Sequence, residues 1–185
     1  MASILGVETL QHTNGTDAIT IDSSGNVALP QVGTGAFYRN NTFIPAFSSK
    51  VATDPDASIV SSYDQQYGFY TRIGDLVHIE GTITTNSTAW NYVNGGANAQ
   101  SLTIVGLPFT IKNTTGYYPN ISVGYFNTWT SWTASYTPMG YGVTNTKRID
   151  MTYAVANAVS NIQTTYIYAV GSSITFSMTY QTDDA

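Results

Sequence analysis

Residues 70–84 read YTRIGDLVHIEGTIT, and that pattern leaves one local structure open. Two apolar-rich runs flank Gly74-Asp75. Glycine at the first turn position accepts positive φ without a Cβ clash, as a primed two-residue turn requires. The arriving strand spans about Phe69 to Ile73 and the leaving strand about Leu76 to Thr84. On the leaving strand Val77, Ile79, Gly81 and Ile83 share one face, while His78, Glu80, Thr82 and Thr84 share the other. Period-two alternation of this kind packs one face and wets the other. Gly81 leaves a gap on the packed face, so a ring or a backbone must come close there. A chain with such a hairpin in its middle is committed to a sheet.

The rest of the sequence agrees. From Phe37 onward the expected strands are 43–47, 59–63, 67–73, 76–84, 101–106, 121–127, 130–136, 147–155, 163–169 and 173–181. In the last of these, Ile174, Phe176, Met178 and Tyr180 alternate with Ser173, Thr175, Ser177 and Thr179. Turn-forming clusters separate the runs: NGGANA at 94–99, KNTTG at 112–116 and TPMGYG at 137–142. The segment 153–163, YAVANAVSNIQ, is the one stretch with helical character; it follows the strand-like RIDMTY and reads as strand and loop. Many short strands joined by turns give an all-β sandwich, jelly roll or barrel.

Residues 1–36 differ. Short strand-like pieces are broken at Asn14-Gly15, at 23–26 and at Pro30, and Gly33-Thr34-Gly35 forms the exit. No piece can bury a core alone, so this segment reads as an arm or small β-stem that needs a partner surface, followed by a head domain at 37–185.

Charge narrows the function. Only 9% of the 185 residues are charged, against about a quarter in ordinary globular proteins. The surface must be covered by Thr, Ser, Asn, Gln and Tyr, which suits an extracellular or particle-bound protein and favours self-association. Six basic residues and a net charge of −5 give no footprint for nucleic acid. The chain has no cysteine, hence no disulfide and no thiolate metal site. No apolar run reaches the ~18 residues of a membrane span. The N-terminus lacks a basic start and a long apolar stretch, so a secretory signal is not expected.

Catalytic and metal signatures are thin. His78 and Glu80 share a strand face but lack the further ligands a zinc site requires. Asp54, Asp56 and Asp64 do not follow a calcium-loop pattern. Neither histidine has a nucleophile context, and there is no Gly-x-Ser-x-Gly elbow. No catalytic residue, cofactor or metal is expected, and the chain does not read as an enzyme. The stretch 117–141 is rich in rings: Tyr117, Tyr118, Tyr125, Trp129, Trp132 and Tyr141 stand out. Exposed, they would suit stacking on sugars; buried, they would form core or subunit interface, where Tyr and Trp bring area and a polar tip.

The run GFYTRIGDLVHIEGTIT at 68–84, followed by SLTIVGLPFTI at 101–111, resembles a recurrent head domain of tailed-bacteriophage fibre and decoration proteins. The residues that carry the resemblance are Tyr70, Arg72, Ile73, Gly74, Val77, Ile79, Gly81, Gly106, Leu107, Pro108 and Phe109. The opening segment is similar to the start of many phage structural proteins. The resemblance implies a trimeric jelly roll of the tumour-necrosis-factor and complement-head type, placed on the virion surface. In such a trimer the second face of some strands is covered too, which would allow a surface poor in charge. It implies a homotrimeric capsid decoration or cement protein, attached through residues 1–36 to the major capsid protein or another virion protein. The alternative is a short tail fibre or fibre tip that recognises host surface glycan.

Overall fold

A computed structural model describes residues 9–11, 17–21, 27–28, 38–49, 60, 62–86, 101–129, 136–155, 158–162, 164–167 and 169–184. Three short strands come first: β1 (Thr9–Gln11), β2 (Asp17–Ile21) and β3 (Val27–Ala28). They pair antiparallel in the order β1-β2-β3 and form a small sheet of their own.

Ten strands build the rest: β4 (Tyr38–Phe43), β5 (Ala46–Ser49), β6 (Tyr63–Ile73), β7 (Leu76–Thr85), β8 (Leu102–Val105), β9 (Ile121–Asn127), β10 (Thr137–Gly142), β11 (Ile149–Val155), β12 (Ala158–Asn161) and β13 (Ser173–Gln181). They form two antiparallel sheets. One has the order β4-β6-β7-β13-β9; the other has β10-β11-β8-β5, with β12 added beside β11. The chain is thus an all-β sandwich, as the alternation requires. The two sheets meet where Gly142 N–H donates to Pro119 O at 2.7 Å and Asn120 bridges Tyr141.

The hairpin forms as expected. Ile73 pairs with Leu76 around the turn, and Gly74 has φ +58°. The inward side chains Val77, Ile79 and Ile83 are fully buried, together with Ile174 and Tyr180 from the neighbouring strand β13. Burying a side chain of this size contributes about 1.5–3 kcal/mol. The gap at Gly81 is filled by the Phe176 ring, whose Cζ would lie 2.6 Å from a Cβ at that position. Gly81 pairs across the ladder with Gly68, where the Phe43 ring takes the corresponding space.

The residues that carry the fibre-head resemblance form an architectural knot. The Arg72 guanidinium lies over the Phe109 ring, 4.8 Å from its centroid. The Tyr70 ring meets Phe109 edge-on at 5.2 Å. Arg72 is only 6% exposed; its Nε donates to Gly74 O at 2.7 Å and its Nη2 donates to Asp184 O. The Asp184 carboxylate in turn accepts from Thr110 N–H at 2.8 Å. Gly106, at φ +84°, turns the chain against the backbone of Ile44. One arginine therefore ties the hairpin, the Gly-Leu-Pro-Phe loop and the C-terminal segment together.

Several elements differ from expectation. The expected strand 43–47 is two strands, β4 and β5, which belong to different sheets and are separated by Ile44-Pro45. The cluster TPMGYG is strand β10 rather than a turn. It is an edge strand, where proline can be held without a ladder N–H, and its glycines admit neighbours: a Cβ at Gly140 would stand 2.8 Å from Asp150 O. Residues 153–163 hold the end of β11 and all of β12, paired from Thr152↔Asn161 to Val155↔Ala158. Thr164–Ile167, within an expected strand, is a 3₁₀ turn that buries Ile167. The expected strand at 130–136 falls almost wholly outside the described residues.

Candidate functional site

The sheet β4-β6-β7-β13-β9 has one face in the core and one face uncovered by the other sheet. Register places the outer residues in rows that cross the strands. One row runs Tyr67–Thr82–Thr175–Tyr125, over β6, β7, β13 and β9. The next runs Phe69–Glu80–Ser177–Ser122 over the same four strands. A shift in register between Thr175 and Phe176 leaves Gly124 as an extra residue on β9, and a glycine there adds nothing to the face.

These two rows make a shallow trough of about 380 Å³, lined by Tyr67, Phe69, Glu80, Thr82, Ser122, Gly124, Thr175 and Ser177, with Gly81 and Phe176 also reaching its surface. Its relief follows from side-chain size. Tyr67 and Phe69 stand two apart on β6 with ring centroids 6.0 Å apart and form a wall. The threonines and serines form a low floor. Phe69 is 56% exposed and Tyr125 is 52% exposed, an unusual presentation for rings of this size, which bring large area to whatever they contact. Among the described residues Glu80 supplies the one carboxylate, and no lysine or arginine lines the trough.

Two rows from Phe69, at the turn end of the hairpin, Tyr38, Ile73 and Leu76 make a second exposed apolar cluster across β4, β6 and β7. The row between carries Asn40, Thr71, His78 and Thr179. There His78 Nδ1 is hydrogen-bonded to Thr179 Oγ1 at 2.9 Å, and His78 Nε2 lies 3.6 Å from Glu80 Oε1. His78 and Glu80 thus lie on the outer face, where the alternation puts them, with His78 between Thr179 and Glu80 and the Glu80 side chain largely exposed. Among the described residues no group of three His, Cys, Asp or Glu side chains gathers to hold a metal. Asp64 is exposed on β6; Asp54 and Asp56 lie outside the described residues.

The aromatics singled out in the sequence are dispersed. Trp129 is buried, its Nε1–H donating to Ser173 O at 3.0 Å and its ring 5.5 Å from Phe126. Tyr117 is half-buried and its hydroxyl accepts from Gln181 N–H at 2.8 Å. Tyr118 is exposed and packs edge-on against Tyr141 at 5.6 Å. Tyr125 stands beside the trough. Trp132 lies outside the described residues. Sequence reasoning did not single out Tyr67 and Phe69, although the signal was there: both fall on the outward parity of β6, where a wet face calls for polar side chains.

No protein-family model matches the chain, and no curated protein matches it. Its fold is similar to part of a solved structure, the crystal structure of the Dettilon tailspike protein (gp208). The TM-score is 0.57 at 16% identity, over 78% of this chain and 23% of the tailspike chain. At that identity the likeness is one of fold, and the present chain spans less than a quarter of the tailspike's length.

Proposed function

We propose that the chain is a structural protein of a tailed-phage virion, carried on the tail as part of a fibre or tailspike, where it meets the host surface. The observation that supports this reading is the fold, an all-β sandwich similar over most of its length to a portion of a tailspike protein. The fibre-head pattern around Arg72 and Phe109 points the same way, and so does a surface with little charge. The capsid-decoration reading rests on the arm at 1–36, and an arm serves attachment to a tail as well as to a shell. The working form in this reading is a homotrimer on the virion surface, held through residues 1–36 by another virion protein, with no catalytic step assigned.

Competition tests the proposal. Purified protein in excess should occupy the host receptor and slow adsorption of the phage that carries it. Adsorption unchanged at a saturating excess would overturn the receptor-facing role.

A further inference from the structure

The trough on the outer face of β6, β7, β13 and β9 fits one class of ligand, and the argument rests on the host-facing reading above. We infer that it binds an uncharged or amino-bearing oligosaccharide. Its floor carries hydroxyls beside Gly81, Gly124 and Phe176: Thr82, Thr175 and Ser177 each present a group that donates and accepts. Such a floor suits a ligand rimmed with hydroxyls, which needs partners of both kinds. Its wall is a pair of exposed rings, Tyr67 and Phe69, and a flat ring accepts the C–H face of a sugar as it accepts other apolar area.

Register sets the length of the ligand. Tyr67 and Tyr125 bracket Thr82 and Thr175 in one row, so three strand spacings separate them, about 14 Å. No single sugar ring touches both, so a ligand held at each end is an oligomer lying across the strands.

Charge sets its class. Among the described residues Glu80 is the only carboxylate lining the trough, and no lysine or arginine lines it. A carboxylate accepts from ligand hydroxyls or attracts an amino group, and it repels uronates, sialic acids and phosphates at close range. Nucleic acid is disfavoured for the same reason.

The test is binding of the full chain to an immobilised panel of uncharged, amino-bearing and acidic oligosaccharides. Retention is expected on uncharged or amino-bearing members. Tyr67→Ala and Tyr125→Ala should each weaken it about tenfold or more, whereas Val159→Ala, exposed on the other sheet, should not change it. Both tyrosines are exposed, so the variants should keep the parent's thermal unfolding and molar mass. Retention on acidic members alone, no retention at all, or retention unchanged in both tyrosine variants would overturn the inference. So would a fall in molar mass on either tyrosine substitution, which would make the trough an interface between copies of the chain. If the protein competes for adsorption and the tyrosine variants compete equally, the trough assignment fails and the virion reading stands. If the protein is absent from phage particles, the virion reading itself fails.

Discussion

At position 180 a tyrosine occupies a place in the alternation that belongs to an apolar side chain, and it is fully buried. Its hydroxyl donates to Phe109 O at 3.1 Å and accepts from Phe109 N–H at 3.3 Å, which satisfies both backbone groups inside the core. Burial is the main cause that holds its pKa above the ordinary tyrosine value of 10.0; the hydrogen bond from Phe109 acts in the opposite sense. The unfolded chain therefore releases this proton before the folded one does, so stability is retained below pH 10 and falls as pH rises beyond it. Tyr180→Phe should cost about 1–2 kcal/mol at pH 7, because it strands two buried backbone groups. Its stability should then decline less steeply than the parent's above pH 10. Urea unfolding of both proteins across pH 7 to about 11 checks both points; parallel declines would show that Tyr180 does not carry the dependence. The inward direction of Tyr180 was legible from alternation. Its partner was not, because Phe109 is 71 residues away and nothing local marks the pair.

At the scale of elements, legibility followed the length of the repeat. The hairpin β6-β7 and strand β13 have enough alternating positions to fix face and register, and β9 and β13 have the boundaries expected for them. Short segments were harder. Strand β10 looks like a turn because Pro138, Gly140 and Gly142 are turn residues by composition. They serve instead at an edge, where close packing against Asp150 O and Ile111 demands glycine. Residues 164–167 look like a strand because a short apolar run does not distinguish strand from helix. The candidate site was half legible. Tyr125 could be named from its ring-rich surroundings, whereas the trough needs the register of four strands from distant parts of the chain. The small sheet β1-β2-β3, with strands of 3, 5 and 2 residues, is below what holds together alone in water. Removing residues 1–36 should therefore leave 37–185 folded with the far-ultraviolet signature of a β protein, but unable to join virions lacking the intact protein. Failure of 37–185 to fold would make the segment part of the sandwich; normal incorporation without it would remove its attachment role.

For the whole molecule, the outer sheet face is where a low charge content matters most. Tyr38, Tyr67, Phe69, Ile73, Leu76 and Tyr125 are all exposed there, a large share of apolar area for one side of a single sheet. Part of such a face is expected to be covered in an assembly, and the cluster Tyr38–Ile73–Leu76 is separated from the trough by a polar row. Light scattering should return about three times the 19.9 kDa chain mass, and a stable monomer at micromolar concentration would contradict the trimer. Placement on the tail, facing the host, can be read by imaging phage particles labelled with an antibody to residues 37–185. Label is expected on the tail alone, in a few copies per particle. Label spread over the capsid as a lattice, or particles that carry none, would contradict it.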